Sequence, residues 1–300
     1  MRAISWTWTG LLWFSRSTMT TVETSGAAAE PDFDSLAGQL WPGVVEEIDE
    51  LVRRADSYAV WATQPGTPLA GDDRATRPFQ LSHAVQLLLN AGIDNLNGVR
   101  HLTFGRPDHD HGGQMILHQA AHYVLARGAI ENFATALWML GPRRRAVRVE
   151  RLVRWHIQNV NDSHSATDRF GVPAPKDKGT RLSELESIAL ASLGQLPPRL
   201  RRGYSTTDVV RYVDELRPST GLMSTHFIWQ LCSGFAHARP WAHLTFLERD
   251  LQPTPDPDVL HARLTSSMGR ALFAPKHALE LCDTLLHRHE RLNSRPFDRV

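Results

Sequence analysis

The sequence predicts an all-α protein built as a multi-helix bundle. Apolar residues recur at intervals of three and four along most of the chain, whereas the alternation typical of a half-buried strand is sustained nowhere. The segment 114–140 is apolar on nearly every side, as expected of a helix at the centre of a bundle. With 300 residues, 42% of them hydrophobic, the chain is long enough to bury a substantial core.

The first 32 residues are expected to form a disordered N-terminal tail. An apolar stretch that ends at Phe14 is shorter than the about 20 residues that a membrane span needs. A long polar segment separates it from the alanines at 27–29, which argues against a cleaved signal peptide. Met19 opens a typical polar start, so we expect translation to begin there. Residues 294–300 are expected to form a C-terminal tail.

A single helical domain is predicted from residue 33 to residue 293. Pro42 lies inside the first helical pattern and is expected to mark a break or the true first turn. Loops are predicted at 65–78 and 251–258, and a linker near 171–180, since these segments contain two or three prolines each. The later predicted helices are 81–99, 114–140, 149–160, 182–193, 206–216, 222–236, 260–273 and 276–292. The last two are expected to meet at Pro275.

Composition excludes several functional classes. The 33 basic and 32 acidic residues give a net charge of +1, so no global field attracts nucleic acid or anionic lipid. Two cysteines cannot form a disulfide scaffold, which suits a reducing cytosol. The sequence contains no glycine-rich phosphate loop, no nucleophile elbow, no CxxC and no HExxH. We therefore expect a cytoplasmic protein without a membrane partner and without an organic cofactor.

Two opposite charges on the central helix are the first candidate site. Arg127 and Glu131 lie four residues apart among apolar neighbours, so we expect them to be at least partly buried. Buried charges are costly unless they are paired and hydrogen-bonded. The pair is either a simple intrahelical ion pair or part of a polar centre shared with another helix.

Ser233 and His237 form the second candidate. They lie four residues apart at the end of a predicted helix that Pro240 must terminate. A histidine at a helix C-terminus is favoured by the helix dipole, so a capping role is the first interpretation. The alternative is a serine nucleophile with a histidine base, which needs a third group to orient the imidazole.

A histidine-rich stretch is the candidate metal site. His118 and His122 are spaced to share one face of a helix, as two imidazoles must to bind one metal ion. Asp108 and His111 in the preceding loop would supply further ligands. With 15 histidines in the chain, the alternative is a chance cluster without a metal.

Six arginines form a basic ridge after the central helix. Only three of the 33 basic residues are lysines, so arginine is abundant throughout the chain. Arg144, Arg148 and Arg151 are the candidate nucleic-acid contacts, through phosphates and with strong salt dependence. A solvated helix face in an arginine-rich chain is the alternative. The ridge comprises Arg143, Arg144, Arg145, Arg148, Arg151 and Arg154.

Two short motifs carry a resemblance to a known superfamily. The segment from His122 to Glu131 with Trp138, and later the run Ser233-Gly234-Phe235-Ala236-His237, resemble all-helical bacterial families that are distantly similar to the HEPN superfamily. The resemblance covers about residues 117–239. It implies a helical bundle that is often dimeric, with members that cleave RNA in toxin–antitoxin or phage-defence systems and others that are inactive binding modules.

Three functional hypotheses follow. The first is a HEPN-like binding or interaction module in a defence or stress system, with Arg127, Glu131 and His237 brought together at its centre. The second is an enzyme, either RNA-cleaving or a metal-assisted hydrolase. The arginine that RNA-cleaving members carry upstream of the histidine is missing before His237, which favours the binding module. The third is a purely structural, oligomeric helical protein. RNA or protein are the partners that these hypotheses imply, besides a second copy of the chain.

Overall fold

The computed structural model describes residues 3–5, 8–13, 33–57, 61–106, 109–110, 114–198, 200–217 and 223–295. Within them the chain has an all-α, multi-helix fold, as the sequence predicts. The helices are α1 (Phe33–Ala55), α2 (Pro68–Ala75), α3 (Leu81–Phe104), α4 (Ala121–Leu140), α5 (Arg145–Phe170), α6 (Lys178–Leu193), α7 (Thr206–Leu216), α8 (Thr225–Ala236), α9 (Pro240–Phe246) and α10 (Met268–Asn293).

Short strands accompany the helices. They are β1 (Ala3–Ser5), β2 (Trp8–Trp13), β3 (Gly105–Arg106), β4 (His109–Asp110), β5 (Met115–Leu117), β6 (Glu248–Pro253) and β7 (Val259–Thr265). Strand β1 pairs in parallel with β5, β7 lies between β2 and β6 in an antiparallel sheet, and β3 pairs with β4. Strands β1 and β2 belong to the predicted N-terminal tail. The rest of that tail, Met19 included, lies outside the described residues.

The chain divides into two compact units, each made of three stretches. The first unit comprises Met1–Arg53, Ile93–Ala129 and Ile228–Leu279. The second comprises Arg54–Gly92, Ile130–Phe227 and Glu280–Val300. No boundary between the units falls at the predicted linker, since residues 171–177 connect α5 to α6 within the second unit.

The hairpin of α5 and α6 is closed by local capping. Helix α5 ends at Gly171, which adopts the left-handed conformation with φ of 65° that suits glycine. Helix α6 begins after Asp177, whose carboxylate accepts a hydrogen bond from the Thr180 N–H at 2.9 Å. Between the two helices lies an apolar core with Leu200. Its buried members from α5 and α6 are Val153, Ile157, Val160, Leu185 and Ala189.

The prediction of a loop from Pro65 to Pro78 is wrong, because this segment contains α2. Thr67 is the N-cap of the helix, and its hydroxyl oxygen accepts a hydrogen bond from the Ala70 N–H at 3.2 Å. Pro68 occupies the first turn, where a proline costs no hydrogen bond. The Thr-Pro pair therefore starts a helix here instead of preventing one.

The predictions of a loop at 251–258 and a helix at 260–273 are also wrong in part, because a β-hairpin forms there. Residues predicted as a loop and a helix, 251–258 and 260–273, include most of the β6–β7 hairpin. The burial along β7 does not alternate strictly, which explains why its period was not recognisable. The predicted third helix begins at Ala121 and not at Gln114, because its apolar start forms β5.

Pro42 and Pro275 both lie inside helices. The sequence predicts a helix break or a helix start at each of these prolines, and the structure shows neither. Pro42 is within α1, and Pro275 is within α10, which runs from Met268 to Asn293 as one helix. The central part of α4 is as buried as its composition predicts, since every side chain from Phe133 to Leu140 is buried. Among the described residues, no helix combines the length and hydropathy that a membrane crossing requires.

Candidate functional site

Arg127 and Glu131 lie on α4, and both are partly buried. The guanidinium carbon of Arg127 is 5.8 Å from the ring centre of Trp229 on α8, a cation–π distance. Helix α8 therefore contacts Arg127 through the side chain of Trp229.

His237 lies beyond the end of α8, and its side chain is exposed. Its backbone N–H donates a hydrogen bond to the carbonyl oxygen of Ser233 at 3.1 Å, so the two residues are joined through the helix backbone. Eight residues, or about two helical turns, separate His237 from Trp229. The structure therefore joins α8 to Arg127 through Trp229 and leaves His237 exposed at the far end.

Half of the candidate metal site lies outside the described residues, namely Asp108 and His111. His122 is fully buried, with its Nε2 2.8 Å from the Thr103 hydroxyl and its Nδ1 3.1 Å from the His118 carbonyl oxygen. Burial lowers the pKa of His122 to about 4, so the ring is neutral near pH 7. The described residues contain no group of three or more metal-ligating side chains placed to hold an ion.

The arginine ridge faces two environments. Arg148 is only 3% exposed, and its Nε and Nη2 donate to Oδ2 and Oδ1 of Asp72 at 2.6 and 2.9 Å. Its Nη1 donates to the carbonyl oxygens of Pro142 and Arg143, both at 2.9 Å. The assignment of Arg148 to a phosphate-binding surface is therefore wrong, because its guanidinium points inward and is occupied.

Arg151 and Arg154 are engaged with aromatic rings and backbone carbonyls. The guanidinium of Arg151 lies 4.0 Å from the ring centre of Tyr212, and its Nη1 donates to the Trp138 carbonyl. Nε of Arg154 donates to the Gly203 carbonyl at 2.7 Å. Burial lowers the pKa of Arg151, and its hydrogen bond with Tyr212 opposes that effect. Of the three predicted phosphate contacts, Arg144 is the one that is exposed.

The C-terminal end of α4 is closed by two arginines. Arg148 binds the Pro142 carbonyl as described, and Nε of Arg288 donates to the Leu140 carbonyl at 2.8 Å. Nη2 of Arg288 donates to the Gly141 carbonyl at 2.9 Å. Carbonyls at a helix end lack intrahelical donors and carry partial negative charge, so two cations stabilise this end.

The arginines that remain exposed are consecutive, and we call Arg143, Arg144 and Arg145 the arginine triplet. Arg144 is the N-cap residue of α5 and makes no side-chain capping bond. The side chain of Arg145 is 55% exposed, although its Nε lies 3.1 Å from Asp72. The triplet is thus a basic surface at the start of α5.

Ser82 belongs both to a buried polar cluster around Asp73 and to the lining of a small cavity in the second unit. Asp73 accepts hydrogen bonds from the Ser82 N–H at 2.9 Å, the Ser82 hydroxyl at 2.7 Å and the Thr63 hydroxyl at 3.2 Å. The cavity measures about 10 Å³, the space of a single water molecule, and Ser82, Gln86 and His289 contribute its polar lining. Burial lowers the pKa of His289, while Glu290 and Asp73 raise it. A cavity of this size has room for one water molecule but not for an organic substrate.

The sequence did not identify Asp72, Asp73 or Arg288 as residues of interest. The signal available was the adjacent pair of carboxylates at 72–73, in a segment whose Thr-Pro start begins a helix. Comparisons with models of protein families, with curated proteins and with solved structures find no match to this chain.

Proposed function

We infer that this chain is a helical binding module that acts without catalysis, distantly related to the HEPN superfamily and part of a defence or stress system. The position of His237 carries this inference. Its side chain is exposed at the end of α8, and Ser233 reaches it through a backbone hydrogen bond. A serine nucleophile needs the imidazole against its hydroxyl, and a catalytic histidine needs partners that orient it.

The other candidate site residues support the same function. Both ring nitrogens of His122 have protein partners, and Arg148 makes four hydrogen bonds, two to Asp72 and two to backbone carbonyl oxygens. Cys232 and Cys282 are buried and form no disulfide, which fits a cytoplasmic protein in a reducing compartment. The resemblance to HEPN proteins favours a homodimer, which light scattering of the purified chain would measure directly.

Cleavage and growth assays test this function. We expect the purified wild-type chain and the His237→Ala variant to leave a fluorescent single-stranded RNA equally intact, and expression of either to permit growth. Cleavage or growth arrest that disappears in His237→Ala would overturn the inference in favour of an RNA-cleaving enzyme. Stoichiometric zinc, manganese or iron in the purified protein would instead support the metal-assisted hydrolase.

A further inference from the structure

We propose that the arginine triplet binds a compact oligophosphate group, of the kind that a nucleoside di- or triphosphate carries. This proposal rests on the proposed binding function and names a ligand class for it. The triplet places three guanidinium groups on successive residues, and guanidinium is suited to phosphate oxygens because it offers paired donors and permanent charge.

The charge around the triplet is only partly compensated within the described chain. Asp72 is the carboxylate that pairs there, and Arg145 and Arg148 share it. Arg143 and Arg144 have no carboxylate partner among the described residues. Further positive charge lies nearby, since Arg291, Arg148 and Arg143 all act on the Arg288 guanidinium and add to the burial that lowers its pKa.

The local helix geometry adds to this surplus. The first turn of α5 contains no acidic residue, although acidic side chains stabilise that end of a helix. Instead, Arg145 begins the helix, Arg144 is its N-cap and Arg143 precedes it, so the partial positive charge of the helix end opposes them. An anion that contacts the triplet would relieve both sources of repulsion.

The exposed basic surface of the arginine triplet is short, which favours a compact ligand over a nucleic-acid strand. Further along α5, the guanidinium groups of Arg148, Arg151 and Arg154 are bound to Asp72 or to backbone carbonyls. The basic surface therefore stops after Arg145 and does not continue along the helix. A polynucleotide backbone needs a groove that follows many phosphates, whereas two or three linked phosphates need only one cluster.

Calorimetric titration of the full chain with inorganic tripolyphosphate tests the proposal. We expect saturable binding that weakens as salt is added, and a loss of about tenfold or more in affinity in Arg143→Gln/Arg144→Gln, because charge-assisted hydrogen bonds are lost. The matched control is Arg169→Gln, an exposed arginine at the other end of α5, which should bind as the wild type does. Unchanged urea unfolding of the double variant would show that its fold is intact.

Three outcomes would overturn the proposal. The first is no tripolyphosphate binding, and the second is equal loss of affinity in Arg169→Gln. The third is binding of a single-stranded oligonucleotide that is tighter than that of tripolyphosphate and depends on the same two arginines, which would assign the triplet to nucleic acid. Each of these leaves the non-catalytic function intact, because that function is tested separately by RNA cleavage and by His237→Ala.

Discussion

The carboxylate of Asp72 and the guanidinium of Arg148 form a two-point contact across 76 residues of sequence, with paired atoms 2.6 and 2.9 Å apart. The two side chains are 0% and 4% exposed. The contact ties α2 to α5, and it turns one member of a basic ridge into a structural residue. Because both charges are removed from water, each depends on the other.

Asp72→Asn should destabilise the protein strongly, since the change leaves the Arg148 charge buried without its counterion. We expect the free energy of unfolding to fall by about 3–5 kcal/mol in urea denaturation. Asp94→Asn, which neutralises an exposed carboxylate on α3, is the matched control and should change it by less than about 0.5 kcal/mol. A loss below about 1 kcal/mol in Asp72→Asn would contradict the buried pair.

His122 makes stability depend on pH. Burial lowers its pKa from 6.5 to about 4 in the folded protein; the hydrogen bond with the His118 backbone raises it, and the charge of His118 lowers it. Between these two pH values the unfolded chain binds the proton and the folded chain does not, so acid favours unfolding. The contribution of His122 is complete above pH 6.5 and falls by about 2 kcal/mol by pH 5.

Urea denaturation at a series of pH values measures this effect. His122→Gln should reduce the fall in the free energy of unfolding between pH 6.5 and pH 5. His156, whose pKa burial also lowers to about 4, remains to supply part of the slope. His83→Gln removes an exposed histidine of α3 and should keep the wild-type profile. An unchanged slope in His122→Gln would show that this imidazole is accessible to protons in the folded state.

Gly92 is required by close packing inside α3. A Cβ atom at this position would lie 2.2 Å from Cε1 of the buried Phe133 ring, so Gly92→Ala should cost about 1–3 kcal/mol through overpacking. Gly43 in α1 has nothing within 4 Å of its hypothetical Cβ. Gly43→Ala should therefore stabilise the protein by about 0.5–1 kcal/mol, because alanine loses less backbone entropy in a helix. Equal effects of the two changes in thermal unfolding would contradict this packing.

Double-mutant cycles distinguish Trp229 from His237 as the α8 residue that acts on Arg127. The cycle of Arg127→Ala with Trp229→Ala should give a coupling energy of about 0.5–1 kcal/mol, the usual size of a cation–π contact. The cycle with His237→Ala should give a value near zero, since that side chain is exposed. Coupling to His237 as large as that to Trp229 would restore the polar centre that the sequence suggests.

The helical class and the burial of α4 could be predicted because they depend on local periodicity and composition. The contacts between residues far apart in the chain could not be predicted from the sequence. Nothing near Arg148 in the sequence indicates that this position of the ridge faces inward, since its partner Asp72 lies in a helix that begins at a Thr-Pro pair. The β6–β7 hairpin was missed for a related reason, because the burial along β7 depends on its neighbours more than on a strict alternation.

For the candidate site too, some features can be predicted from the sequence and others depend on contacts between helices. The sequence points to α4, α5 and α8 as elements that carry candidate polar groups, since charged residues among apolar ones are visible in any sequence. Which member of each set contacts another helix is decided by packing. Trp229 contacts Arg127 while the side chain of His237 is exposed, and the guanidinium of Arg148 is bound to Asp72 while Arg144 remains exposed.

The central claim is that the ridge contains structural arginines and ligand-binding arginines, and the comparison of Arg148→Met with Arg144→Met tests it most directly. Both variants remove one positive charge from α5 or its N-cap, and each is measured for urea unfolding and for tripolyphosphate affinity. We expect Arg148→Met to lose about 3 kcal/mol of stability, because the buried Asp72 carboxylate keeps only the half-exposed Arg145 as its cationic partner, and Arg144→Met to lose affinity with unchanged stability. Equal stability of the two variants, or undiminished affinity in Arg144→Met, would contradict the claim.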